Sequence, residues 1–280
     1  MARPFRLVDV FGSGEFSGNP LAVVADAAGL DTETMQRITR WLNLSETTFL
    51  LPPENPEADY RVRIFTLARE LPFAGHPTLG TCHAWIEAGG TPRRPGQIMQ
   101  ECGVGLVPIR ETPQGYAFAA PPLVREGRPS DEVIAEAAAV LRIHVDAIVD
   151  AAWIDNGPGW LGIMLSSAEA VLAVQPDVSP GRHVDIGLIG AHPPGSEAAY
   201  EVRALFSNAE GTVIEDPVTG SLNASVAQWL FASGRVTDGY VAAQGTVLGR
   251  RGRVRIDRDA EGAIWVGGAT RTLFAGEGRF

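Results

Sequence analysis

Glu70-Leu71-Pro72-Phe73-Ala74-Gly75-His76 in the first half of the chain is matched by Glu215-Asp216-Pro217-Val218-Thr219-Gly220-Ser221 in the second, with Glu, Pro and Gly at the same three relative positions. The match extends outward from this motif. Upstream, Tyr60-Arg-Val-Arg-Ile-Phe65 and Tyr200-Glu-Val-Arg-Ala-Leu-Phe206 alternate as half-buried strands do. Downstream, Gly89 and Gly234 each fall fourteen residues after the motif glycine and close segments rich in Ala, Trp and aliphatic residues, Leu79 to Glu87 and Ala224 to Ala232. Glycine just past such a segment is a helix C-terminal signal, so each motif turn opens a helix and each later glycine stops it. Hairpins follow in both halves, Val107 to Phe118 around Pro113-Gln114-Gly115 and Val254 to Trp265 around Ala260-Glu261-Gly262. Strand, turn, helix and hairpin in one order with matched spacing point to a duplicated α+β chain. The Tyr-to-Gly spacing is five residues longer in the second copy, which fits a surface-loop insertion.

Duplication divides the 280 residues into two lobes, each long enough to bury a core. Ala120-Pro121-Pro122 marks the boundary, because consecutive prolines stop both strand and helix. The expected organisation is a first lobe of residues 1–120, with the C-terminal segment 270–280 available to complete it, and a second lobe of 121–269. Two further helices are predicted. Asp31 to Leu42 has Asp31 or Thr32 as cap and Met35, Ile38 and Trp41-Leu42 on one face; Ser130 to Leu141 is the other. Pseudo-symmetry would bring the two motif turns face to face across a cleft. The free N–H groups at each helix start would there favour a carboxylate or a developing enolate.

Composition narrows the function. Lys and Arg total 23 against 33 Asp and Glu, and the net charge of −10 repels nucleic acid and anionic membrane surfaces. The two cysteines, Cys82 and Cys102, form no CxxC pair and no Cys/His cluster at metal-ligand spacing, so neither a disulfide framework nor a metal site is expected. No signal-peptide core and no long apolar run is present, and a cytoplasmic protein is expected.

Where the copies differ, chemistry is possible. Leu71 faces Asp216, Ala74 faces Thr219, and His76 faces Ser221. At a helix start the dipole would lower the pKa of His76 and keep a neutral imidazole able to donate to a carbonyl. A capping or core histidine is the alternative. Asp216 before Pro217 reads equally as a turn residue or a catalytic carboxylate. Ser221 reads as a helix cap or a ligand contact, and Gly220 would let a ligand approach the backbone. A Ser221, His76 and Asp216 hydrolase trio lacks the G-x-S-x-G elbow. Glu46, in Ser45-Glu46-Thr47-Thr48-Phe49-Leu50, enters an apolar strand; partly desolvated, its pKa would rise and it could shuttle a carbon-bound proton. Gly18-Asn19-Pro20 is a turn between strands around Leu7 to Phe11 and Leu21 to Val24.

Val8-Asp9-Val10-Phe11, Gly18-Asn19-Pro20-Leu21-Ala22-Val23-Val24, Ser45-Glu46-Thr47, Pro72-Phe73-Ala74-Gly75-His76-Pro77-Thr78 and Glu215 to Ser221 resemble the signature stretches of the PhzF-like phenazine-biosynthesis protein family. The resemblance implies a diaminopimelate-epimerase-like fold of two similar lobes, each a curled, barrel-like sheet around a central helix. It also implies a cofactor-independent isomerase with Glu46 as acid/base, His76 positioning or polarising the substrate, and Asp216 assisting proton movement. Gly75, Gly220 and Ser221 would bind a substrate carboxylate, Asn19 and Ser45 would join the binding set, and a homodimer is implied. In the wider fold superfamily, epimerases place a cysteine before the glycine of each motif. Those positions here are Ala74 and Thr219, so a two-thiol racemase is disfavoured and one-base isomerisation fits better. The competing classes are an idle small-acid binding protein and the serine hydrolase.

Overall fold

The computed structural model describes residues 2–179, 181, 184–208 and 211–279. It divides into two compact units, Met1–Ala119 together with Gly267–Phe280, and Ala120–Val266. Phe280, at the end of the expected completing segment, lies outside the described residues.

The first unit runs β1 (Ala2–Val10), β2 (Asn19–Val24), α1 (Thr32–Leu42), β3 (Glu46–Leu51), β4 (Tyr60–Thr66), β5 (Glu70–Leu71), α2 (Gly75–Glu87), β6 (Gln97–Cys102), β7 (Gly105–Thr112) and β8 (Gly115–Ala119). In the second, β9 (Arg125–Gly127) and α3 (Asp131–Leu141) precede β10 (Ile148–Asp155), β11 (Leu161–Leu165), α4 (Ala168–Ala173), β12 (Asp185–Ala191), β13 (Tyr200–Ser207), β14 (Val213–Asp216), α5 (Gly220–Ala232), β15 (Tyr240–Gln244) and β16 (Gly252–Arg258), and the unit boundary after Val266 falls within β17 (Ile264–Gly268). The last strand, β18 (Thr270–Arg279), pairs antiparallel with β1 in the first unit.

Strand pairing repeats with the order. β1 with β2 and β10 with β11 are antiparallel, whereas β2 with β3 and β11 with β12 are parallel across an intervening helix. β3 with β4 and β12 with β13 are antiparallel. β4 then takes β6 parallel and β13 takes β15 parallel, with α2 or α5 as the crossover. Parallel pairing needs such a crossover, which is why the motif helix sits where it does in each unit. Each unit is thus an α+β fold in which a curled sheet surrounds a central helix. α2 packs against β1, β2, β3, β4, β6, β8 and β18, and α5 against β10, β12 and β16.

The central helices present no single apolar face: their buried positions include polar ones, Thr78, Thr81, Asn223 and Ser225 among them, as befits enclosed helices. Gly80 of α2 marks the closest approach: a Cβ there would lie 2.6 Å from Leu21 Cδ2 and 2.9 Å from Val10 Cγ2. Both helices are 13 residues long and end in one geometry. Gly89 and Gly234 take φ of +91° and +69°; their N–H groups bond Ile86 O and Phe231 O, while Gly90 N and Arg235 N bond Trp85 O and Leu230 O. This is the Schellman pattern the glycines announced.

On the outer faces, α1 covers Val24, Phe49 and Phe65 through Met35 and Ile38. Ile134, Leu141, Val171, Ile163, Leu188 and Leu205 form the corresponding layer of the second unit. Asp31 caps α1 by accepting Thr34 N at 2.7 Å, and Ser130 caps α3. Trp41 departs from expectation. Six residues beyond Met35, it swings about 120° off the Met35–Leu42 line and is 84% exposed.

Candidate active site

β3 begins at Glu46, β2 begins at Asn19 and α2 begins at Gly75-His76, and these starts converge inside the first unit. His76 Nδ1 lies 3.4 Å from Glu46 Oε2 and 3.4 Å from Asn19 Nδ2. The imidazole and the Asn19 amide are buried, and the Glu46 side chain is 16% exposed. Ser45, half-buried, sits immediately before the glutamate. Asn19 opens the strand rather than lying in a turn; the connecting loop spans residues 11–18.

Internal braces fix this arrangement. Thr81 of α2 donates its hydroxyl to Thr48 Oγ1 of β3 at 2.8 Å, tying the helix that carries His76 to the strand that carries Glu46. Gln100 of β6 donates to Thr78 Oγ1 at 3.0 Å and accepts the Tyr60 hydroxyl at 3.1 Å. Asp9, buried at the end of β1, accepts Gly18 N at 2.8 Å and Ser17 N at 3.0 Å, which sets the loop that delivers Asn19.

Burial holds the His76 pKa down at about 3, so the imidazole is neutral. The direction is the expected one, but desolvation rather than the helix dipole is its cause. The geometry constrains the remaining proton. An amide nitrogen only donates, so the Asn19 contact calls for a bare Nδ1 and a proton on Nε2. A Glu46 bond to that bare Nδ1 requires the protonated carboxyl; an ionised Glu46 is instead suited to the Nδ1–H tautomer. Nε2 is buried with no hydrogen-bond partner among the described residues. The pair can therefore exist with Glu46 as acid or as base at constant imidazole charge.

In the second unit the matching turn is built differently. Thr219 donates its hydroxyl to Asp216 Oδ2 at 2.6 Å. Gln244 of β15 locks the turn, accepting Thr219 N at 3.0 Å and Asn223 Nδ2 at 2.7 Å while donating to Thr219 Oγ1 at 3.0 Å. Neither Ala74 nor Thr219 makes a side-chain cap bond, which leaves first-turn N–H groups of α2 and α5 without that competitor. Ser221 Oγ accepts the Trp160 indole N–H at 3.2 Å, and Ser221 O accepts Asn156 Nδ2 at 2.9 Å.

The structure thus brings Asn19, Glu46, Gly75 and His76 together in one unit and Asp216, Gly220 and Ser221 in the other. Sequence reasoning missed Asn156 and Trp160. The signal was available: Asp155-Asn156-Gly157-Pro158-Gly159-Trp160 follows a strand in the second copy as the glycine-rich stretch Phe11 to Gly18 does in the first. Cys82 is buried within α2, and desolvation pushes its thiol far above the ordinary range, so it supplies no thiolate.

A duplicated curled-sheet fold with a carboxylate and a neutral histidine at the start of a central helix defines an enzyme of the isomerase and epimerase class. Residues 8–276 match the family of phenazine biosynthesis-like proteins, PhzC-PhzF, and the chain belongs to that family. It is 34% identical over 292 residues to antisense-enhancing sequence 1 of Schizosaccharomyces pombe, covering 98% of this chain and 97% of that protein. It is 33% identical over 259 residues to a trans-2,3-dihydro-3-hydroxyanthranilate isomerase of Pseudomonas aeruginosa, covering 89% and 88%. A solved structure from Pseudomonas aeruginosa, described as a predicted epimerase, superposes with a TM-score of 0.80 at 26% identity over 99% of both chains. Among the described residues no helix is long and apolar enough to cross a membrane.

Proposed function

We propose that this enzyme moves a carbon-bound proton within a small carboxylate substrate, without a cofactor, using Glu46 as its only acid/base. The observation that carries the reading is the 3.4 Å approach of Glu46 Oε2 to the Nδ1 of a buried, neutral His76. Ionised Glu46 takes the proton from an acidic carbon beside a carbon–carbon double bond of the substrate, and the electron pair left behind delocalises through that double bond toward the substrate carboxylate. The protonated Glu46 carboxyl then returns the proton to the far carbon of that double bond on the same face, and the double bond shifts by one position. Bond count, charge and oxidation state balance. His76 stays neutral throughout and positions the Glu46 carboxyl through Nδ1.

Alanine at 74 and threonine at 219 provide no second base of the thiol type, which favours one base over two. Asp216 is assigned an assisting part in proton movement, without exchanging a proton with the substrate carbon itself, and Gly220, Ser221, Gly75, Asn19 and Ser45 are assigned substrate binding. The substrate class follows that of the isomerase relative: a small, ring-bound carboxylate with an acidic C–H. The same proposal places the enzyme in the cytoplasm, in keeping with its two free cysteines, as a homodimer that analytical ultracentrifugation checks.

The decisive experiment incubates wild type and Glu46→Gln with trans-2,3-dihydro-3-hydroxyanthranilate in deuterated water. Wild type should exchange label, and Glu46→Gln should lose about 1,000-fold or more while still binding. Full exchange in that variant overturns the assignment.

A further inference from the structure

We propose that Trp160 is a positioning residue for the Ser221 hydroxyl, turning it into a hydrogen-bond donor aimed at a carboxylate ligand. This rests on the reading of Ser221 as a substrate contact. A serine hydroxyl has one proton and two lone pairs and rotates to suit its surroundings. Early in a helix it can spend that proton on the chain's own carbonyls. An indole N–H can only donate. By donating to Oγ at 3.2 Å, Trp160 occupies one lone pair and leaves the hydroxyl's single proton for a further partner that accepts. A carboxylate, which only accepts, is the matching ligand.

The tether is rigid for local reasons. Trp160 is 4% exposed, so its ring has little room to turn. Its loop is short and tied at the root, where Asp155 Oδ1 accepts Gly157 N at 2.6 Å and Gly159 N at 2.7 Å, and Ile154 N bonds Trp160 O at 3.0 Å. The same loop holds the other end of the serine through Asn156 Nδ2 on Ser221 O, at 2.9 Å. Backbone and hydroxyl are therefore both set by one segment. The first unit uses the same device, since Asp9 accepts two loop amides and the loop presents Asn19 to His76. In each copy a strand-ending aspartate secures a loop that reaches the residue after the motif glycine.

The test uses nitrogen-15-labelled full-length protein and benzoate, a carboxylate with no acidic carbon-bound proton to be moved. In ligand-free protein the Trp160 indole resonance, assigned by its loss in Trp160→Phe, should move upfield in Ser221→Ala, a small truncation that leaves the fold intact. Benzoate should then shift the Gly220 amide in wild type. Trp160→Phe and Ser221→Ala should each weaken that binding about tenfold, and the double variant should be no weaker than either single one. An indole resonance indifferent to Ser221→Ala, unchanged affinity in Trp160→Phe, additive losses, or no benzoate shift at Gly220 each overturns the proposal. No turnover is involved, so this result and that of Glu46→Gln can fail separately.

Discussion

His76 and Ser221 occupy the same place in two copies of one scaffold, each following the glycine that starts a 13-residue central helix closed by the same C-terminal turn. Their surroundings differ. His76 is enclosed with Asn19 and Glu46, a setting that strips water from a titratable ring and puts a proton acceptor beside it. Ser221 is held by Trp160 at its hydroxyl and by Asn156 at its backbone carbonyl, groups that do not titrate in the working range. Duplication kept the backbone that presents a residue at a helix start and changed which residue is presented. The proposed function gives one copy the proton transfer and the other the ligand.

The sharpest way to break this contrast is to remove each residue in turn. His76→Gln should lower kcat for proton exchange by about 100-fold or more, in the range removed with a proton-transfer partner. Ser221→Ala should raise KM about tenfold and leave kcat within a few-fold, the cost of one hydrogen bond to a charged ligand. Steady-state exchange rates decide it. An equal fall in kcat for both would mean that the two positions share one role.

The backbone half of the comparison is legible in the sequence because it depends on strong local signals. Gly89 and Gly234 announce positive φ, the motif glycines open helices, and β4 alternates as expected, whereas β13 departs from alternation and is buried on both faces from Glu201 to Leu205. Part of the candidate site's placement is legible too, since Glu46 opens a strand and His76 follows the glycine that opens a helix, whereas Asn19, expected in a turn, opens β2. What escapes are groups whose role depends on a neighbour distant in sequence. Trp160 looks like any core aromatic until Ser221 is found beside it. Trp41 is a different case: its aromatic character suggests the buried face, but the helical period already turns it about 120° from Met35, toward the solvent where it lies. The cause of the His76 shift is hidden as the role of Trp160 is, since enclosure is a tertiary property.

A second pair of positions shows how far burial alone can alter one motif. Arg63 and Glu70 in the first copy, and Arg203 and Glu215 in the second, form the same two-pronged ion pair, at 2.7 and 2.6 Å and at 3.1 and 2.8 Å. The first pair is partly open to solvent, with Arg63 also reaching Thr32 Oγ1 at the start of α1. The second is 2% and 7% exposed, with Arg203 Nη1 also donating to Val171 O and Val174 O at the end of α4. Removing Arg203 strands a buried carboxylate and two carbonyls, so Arg203→Ala should cost about 3–5 kcal/mol. Arg63→Ala should cost about 1 kcal/mol or less, because water can replace it. Urea unfolding measures both, and equal losses would break the contrast.

Acid separates the copies next. An unfolded histidine titrates near its ordinary value of 6.5, whereas folded His76 stays neutral down to about 3. Between those values the unfolded chain binds a proton that the folded chain does not, so stability from this residue is full above about pH 6.5, falls as pH drops, and levels near pH 3. The loss across that window should amount to a few kcal/mol, about 1.4 per unit at most. His76→Gln should flatten this part of the stability profile, and Ser221→Ala should leave its slope untouched. A profile unchanged by His76→Gln would mean that the ring is not buried in its neutral form.

The smallest effects should be the ones the two copies share. Gly89 and Gly234 both sit in the left-handed region, and a Cβ at either would meet nothing within 4 Å, so alanine there is opposed by backbone conformation alone and not by crowding. Each Gly→Ala change should therefore cost about 1 kcal/mol, with asparagine, which tolerates positive φ better, recovering part of it. Urea midpoints of the two alanine variants should agree within about 0.5 kcal/mol. A large disparity would show that the two helix ends carry different loads despite identical hydrogen bonding, and would move the divergence of the copies from their side chains into the scaffold itself.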